Sequence, residues 1–189
     1  MTCRLLLVVL AAAASAGCGS TTTAAPAHGA KLTNFQNSFV EFRYPTAWDA
    51  AQPDTSARLH FHPMLYLSVQ PTKDPCRSAG DETTCGWPVS RLRPGGVLVV
   101  WENRGYPGWS LASTPGAPTH VGGRSARKLV SRPGACRAID ADETVQVEIE
   151  RPGMSGNWTA VTACLRNPNL VANEQALAAL LASTRFKAP

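Results

Sequence analysis

The sequence predicts an α+β fold, a mainly antiparallel β-sheet covered on one face by a C-terminal helix. Two observations predict it. Short segments alternating apolar and polar residues recur from "SFVEFRYP" to "TVQVEIE", the period-2 pattern of half-buried strands. Against them stands one stretch rich in helix formers, "NLVANEQALAALLAS" near the C-terminus, and strands followed by a single packed helix read as α+β.

The elements follow in order. "SFVEFRYP" puts Val40, Phe42 and Tyr44 on one face and Glu41 and Arg43 on the other, and Pro45 stops the strand. "ARLHFH" and "LYLSVQ" continue the pattern, with Leu59, Phe61, Leu65, Leu67 and Val69 inward and Pro63 marking a turn or bulge between them. Residues 71–96 are rich in Pro and Gly and read as loop. "VLVVW", Val97 to Trp101, is apolar throughout and fits a central strand buried on both faces. After a second irregular stretch, "RSARKLVS" reads as a strand. "TVQVEIE" and "NWTAVTACL" form a hairpin around "RPGMSG", with Val145, Val147 and Ile149 inward. In the helix, Asn167 is the expected N-cap and Pro168 the first helical residue. Leu170, Leu177, Leu180, Leu181 and Thr184 form its buried stripe.

The N-terminal segment predicts an address. Arg4 precedes an apolar run, Leu5 to Ala14, shorter than the roughly 20 residues that span a bilayer and suited to the core of a secretory signal. Cys18 follows Ser15-Ala16-Gly17, and the segment resembles a bacterial lipobox, although leucine is commonest where Ser15 stands. That resemblance implies cleavage before Cys18, lipidation of its thiol and anchoring to the cell membrane on its extracytoplasmic face. An ordinary secretory signal cut near Ala16 is the alternative. The expected organisation is a signal peptide at 1–17, a lipidated tether at 18–33 and a globular α+β domain at 34–189. The Ser, Thr, Ala, Pro and Gly of the tether bury too little to repay ordering.

The chain has 189 residues, 18 Lys and Arg, 13 Asp and Glu, and a net charge of +5. Charges of both signs are interspersed without a basic block, so nothing predicts a nucleic-acid partner. Removing the signal and setting Cys18 aside leaves Cys76, Cys85, Cys136 and Cys164. Four cysteines in an exported chain imply disulfides, with three possible full pairings. Cys76–Cys85 is favoured by closeness in the chain. Cys136–Cys164 is favoured because the hairpin brings the two together. A zinc site is the rival, but the paired C-x₂-C spacing it needs is missing.

The run "PGACRAIDADETVQVEIERPGMSGNWTAVTACLRNPNLVANEQALAALLAS" resembles the C-terminal half of small actinobacterial lipoproteins of uncharacterised function. "VGGRSARKLV" and "FVEFRYPTAW" resemble further pieces of that group. The latter is also similar to PsbP-like and LpqN-type folds, in which a strand ends in a Tyr-Pro…Trp turn and a terminal helix packs on the sheet. Neither resemblance implies a catalytic residue.

Candidate chemistry is sparse. His60 and His62 share a strand face, a spacing compatible with two metal ligands, and nothing brings His120 near as a third. Ser125 and Lys128 match S-x-x-K, yet in a strand they fall on opposite faces, and no S-D-N or K-T-G accompanies them. "PGMSGN" lacks the nucleophile-elbow spacing. Asp140 to Glu143 reads as a turn into the next strand, without a full set of calcium ligands. The strongest hint is aromatic: Trp87, Trp101, Tyr106 and Trp109, interleaved with Arg91, Arg93, Glu102, Asn103 and Arg104. Such rings either fill a core or stack on sugars and partner surfaces. The expectation is a lipid-anchored binding module without enzymatic activity or cofactor, contacting an envelope protein, lipid or wall polymer. Trp87, Arg104, Tyr106 and Trp109 are its candidate contacts. The alternatives are an envelope hydrolase with an unrecognised site and a metal-handling lipoprotein using His60 and His62.

Overall fold

Nine residues in a row, Val97–Gly105, form the central strand of the protein, and the first six of them are buried. The computed structural model describes residues 31–53, 61–79 and 82–187, so Cys18, Leu59 and His60 lie outside the described residues. The first strands are β1 (Leu32–Gln36), β2 (Val40–Pro45), β3 (Asp49–Ala51) and β4 (Phe61–Ser68). A hairpin of β5 (Cys76–Ala79) and β6 (Glu82–Cys85) precedes the central strand, β7. Then come β8 (Ala117–Val121), β9 (Arg124–Ser131), β10 (Glu143–Glu150), β11 (Asn157–Leu165), α1 (Leu170–Ser183) and β12 (Arg185–Phe186).

Seven strands make one antiparallel sheet in the order β3-β4-β7-β11-β10-β9-β8, while β1, β2 and β12 make a smaller sheet. Side chains alternate across each strand, so each face of the large sheet carries its own core. On the first face, Val99, Trp101, Val147, Ile149, Val161 and Leu67 meet Val40, Phe42 and Tyr44 of the small sheet and Leu177 and Leu180 of α1. Trp101 stacks on Phe42 with ring centroids 4.7 Å apart, joining the two sheets. On the second face, Tyr66, Leu98, Val100 and Cys164 are covered by Val89 and Leu92 and by a 3-10 turn, Gly134–Ile139, which supplies Cys136 and Ile139.

Both disulfides take the favoured pairing. Cys136–Cys164 ties the 3-10 turn to β11 across a sequence separation of 28, and Cys76–Cys85 joins directly opposed residues of the β5–β6 hairpin.

The structure differs from the sequence reading in five places. The strand β1 takes in Leu32 and Thr33, assigned above to the tether, and only its Phe35 is buried. Residues 71–96 hold the β5–β6 hairpin within a segment read as loop. Pro63 does mark a bulge, between Pro63 and Leu65, but one strand runs through it where two were read, and β4 stops at Ser68, which leaves Val69, read as inward, 40% exposed. Glu143 is the first residue of β10 rather than part of a turn; it is buried and accepts from Arg132 Nε at 2.7 Å.

The fifth difference is the start of α1. The helix begins at Leu170 with Asn169 in the cap position and no side-chain cap bond. Asn167 is used elsewhere: its N–H donates to Asp142 at 2.8 Å and its carbonyl accepts from Gly95 N–H. The buried stripe also includes Asn173, whose Nδ2 donates to the carbonyls of Gly95 and Gly96. Losing that amide would leave buried carbonyls short of a partner, worth about 1–3 kcal/mol. No helix among the described residues is long and apolar enough to cross a membrane.

The molecule thus has two ends. At the lower end the chain enters beside Thr46, whose N–H donates to the carbonyl of Lys31, next to the start of β3. At the upper end β7 stops at Gly105, β9 begins at Arg124 and β11 begins at Asn157.

Candidate functional site

The four aromatic residues of the sequence segment separate in space. Trp101 is a core ring, 1% exposed. Trp87 is half-buried against the second-face core and lines a shallow cavity of 300 Å³ with Lys73, Asp74, Arg77 and Thr84. Tyr106 and Trp109 lie at the upper end, on the loop that leaves β7.

That loop is built by "YPGW". Trp109 N–H donates to the carbonyl of Tyr106 at 3.1 Å, closing a four-residue turn. Pro107 presets the second position, and Gly108 takes φ +82° at the third, where a side chain would be strained. The turn sends its first and last residues in different directions. Trp109 folds back onto Trp158 of β11, with ring centroids 4.6 Å apart and planes 10° from parallel. Its indole N–H donates to Glu148 of β10 at 3.0 Å, and the Thr114 hydroxyl reaches the same carboxylate oxygen at 3.4 Å. Tyr106 stays 70% exposed, while its backbone N–H is held by the carbonyl of Gly156 at 2.8 Å. Beyond Gly156, Met154 on the β10–β11 turn is 46% exposed. Tyr106 therefore presents an exposed ring from a turn whose backbone is held in place.

Arg104 and Glu102 project from β7 onto the second face, because they alternate with Trp101 and Asn103. They form a half-buried ion pair, with side-chain exposures of 23% and 10%. Glu102 also acts on Tyr66. Burial first, then the charges of Glu102 and Asp74, push the Tyr66 phenol up from 10.0 to about 12. The second face thus carries a line of polar groups between the Trp87 cavity and the upper end.

A pH dependence follows. Below pH ~10 both folded and unfolded chains keep the Tyr66 proton, and its contribution to stability is complete. Between pH ~10 and ~12 the unfolded chain ionises first, so stability should fall, by about 2–3 kcal/mol in total. Denaturation across that range should show a shallower loss for Tyr66→Phe than for the wild type. Equal slopes would remove Tyr66 as the cause.

The remaining sequence candidates do not converge. His62 occupies a backbone register opposite Asn103 on β4, and His120 sits opposite Ser125 on β8. Five strand spacings separate β4 from β8, about 24 Å. Ser125 and Lys128 lie on opposite faces of β9, Ser125 beside His120 and Lys128 opposite Val147. Asp140 ends the 3-10 turn in a left-handed conformation and pairs with Arg91. Among the described residues no three His, Cys, Asp or Glu side chains gather as metal ligands.

Sequence reasoning missed Trp158 and Glu148, the two residues that hold Trp109. The signal was present in the hairpin: Trp158 shares its face of β11 with Ala160 and Cys164, and Glu148 stands directly opposite Ala160. No family model matches the chain, and no curated protein matches it.

Proposed function

We propose that the protein is a lipid-anchored binding module on the extracytoplasmic face of a cell membrane, which presents its upper end to an envelope component. The observation that carries this reading is Tyr106, 70% exposed on a loop fixed by the Trp109–Trp158 stack and the Glu148 hydrogen bond. An exposed tyrosine on an anchored turn offers large contact area with few rotatable bonds to order on binding. The two disulfides suit an oxidising compartment, and the lipobox-like run ending at Cys18 suits an anchor. Trp109 supports the contact by positioning Tyr106 rather than by touching a partner itself.

A photoactivatable residue at position 106, in cells expressing the full chain, tests both parts. The expected result is one discrete adduct, absent when the same group stands at Arg77 on the distant hairpin. The mature N-terminal peptide should carry a diacylglyceryl group on Cys18, and Cys18→Ala should release the protein from membranes. An unmodified N-terminus would remove the anchor, and equal labelling from positions 106 and 77 would remove the contact. Stoichiometric labelling by a serine-hydrolase probe, or metal-dependent turnover of a wall fragment, would replace binding with catalysis.

A further inference from the structure

Two arginines meet two phenylalanines where the large and small sheets come together at the upper end. Arg124 opens β9 on the same face as buried Ala126, and Arg151 follows β10 by one residue. Phe39 precedes β2, and Phe186 ends β12. The Arg124 guanidinium lies 4.0 Å from the Phe186 ring centroid and 5.3 Å from that of Phe39. The Arg151 guanidinium lies 4.6 Å from the same Phe39 ring. The Phe39 and Phe186 rings meet edge to face, 5.4 Å apart. Gly122 permits this approach, since a Cβ there would stand 2.8 Å from the Phe186 ring.

Neither arginine has an acidic partner among the described residues. The acids on the neighbouring strands stand at other positions. Glu150 stands opposite Trp158, on the second face, and Glu41 pairs in register with Arg185. Arg151 Nε is buried without a hydrogen-bond partner. Burial lowers the pKa of both groups, and for Arg124 the charge of Arg151 lowers it further. The fold thus holds two like charges together, partly desolvated, on one aromatic ring. Cation–π contact offsets only part of that cost, about 0.5–2 kcal/mol per pair. An oxyanion would offset the rest, because each guanidinium presents a planar fork of donors suited to phosphate oxygens.

We propose that Arg124 and Arg151 form a binding site for a phosphoryl group where the two sheets meet at the upper end. Two positive charges match a phosphate monoester dianion better than a single carboxylate. The site lies beside Met154, in the same turn as Arg151, and is independent of the lipid-anchor reading.

Inorganic phosphate is the probe, titrated into the full chain at constant ionic strength against chloride. The Nε–H resonance of Arg151 should shift saturably. Arg124→Gln and Arg151→Gln should each weaken binding by about tenfold or more, the loss of one charge-assisted fork. Arg77→Gln, on the distant hairpin, should leave it unchanged. If a glutamine variant fails to fold, Arg151→Lys keeps the charge and the packed stem, and it should still weaken binding because the fork is lost. Competition by glycerol 3-phosphate would assign a soluble phosphomonoester; competition only by vesicles containing phosphatidic acid, whose headgroup is a monoester, would assign a lipid headgroup. The absence of a saturable shift would overturn the site. So would an equal loss in Arg77→Gln, which would reduce the effect to net charge.

Discussion

Trp101→Ala should destabilise the protein by about 3–5 kcal/mol, the range for deleting a fully buried large aromatic. The ring is 1% exposed and stacks on Phe42, 4.7 Å away, so it fills the space between the large and small sheets. A cavity there cannot close without moving one sheet toward the other, which places the expected loss in the upper part of the range. Trp101→Phe separates packing from polarity. It keeps a ring against Phe42 and removes an indole N–H that has no hydrogen-bond partner in the interior. Its cost should stay under about 2 kcal/mol. Chemical denaturation of the two variants checks the pair. An alanine loss below about 1 kcal/mol would mean that the sheets are joined by something other than this ring.

Breaking Cys136–Cys164 with the double alanine variant should cost about 3–4 kcal/mol, from the entropy of closing a 28-residue separation. Both cysteines are fully buried, so lost packing adds to the lost constraint. Thermal unfolding should fall by about 10 °C for a chain of this size. Cys76→Ala/Cys85→Ala should cost less, because the loop is shorter and the β5–β6 hairpin is a separate two-stranded sheet. Equal losses would mean that the hairpin belongs to the cooperative unit.

The legible parts of the fold were those where one physical signal dominated. "VLVVW" is apolar because β7 is buried on both faces, and "TVQVEIE" alternates because β10 has a core face and a polar one. The helix body was legible from its helix formers. Its start was not, since Asn167 spends its backbone groups on Gly95 and Asp142, a tertiary choice invisible to a capping rule. The strand β1 was missed because a single buried residue, Phe35, gives no period. Asn173 was missed because a polar residue on an apolar stripe reads as a gap until its carbonyl partners are seen. At the site, "YPGW" announced its turn, whereas the Trp109–Trp158 stack needed the register of β7 against β11. The Arg124–Phe186 contact joins residues from different sheets and has no local signature at all.

When copies of the protein are crowded, the outermost strands of the large sheet can face one another. An open sheet invites a neighbour to extend it through the unpaired backbone groups of its outermost strands. Here one outermost strand, β3, is three residues long, and the other, β8, carries Pro118, which has no N–H to offer. Neither of these two strands offers a second molecule a long uninterrupted ladder. The outermost strands β3 and β8 therefore resist edge-to-edge association at high local concentration.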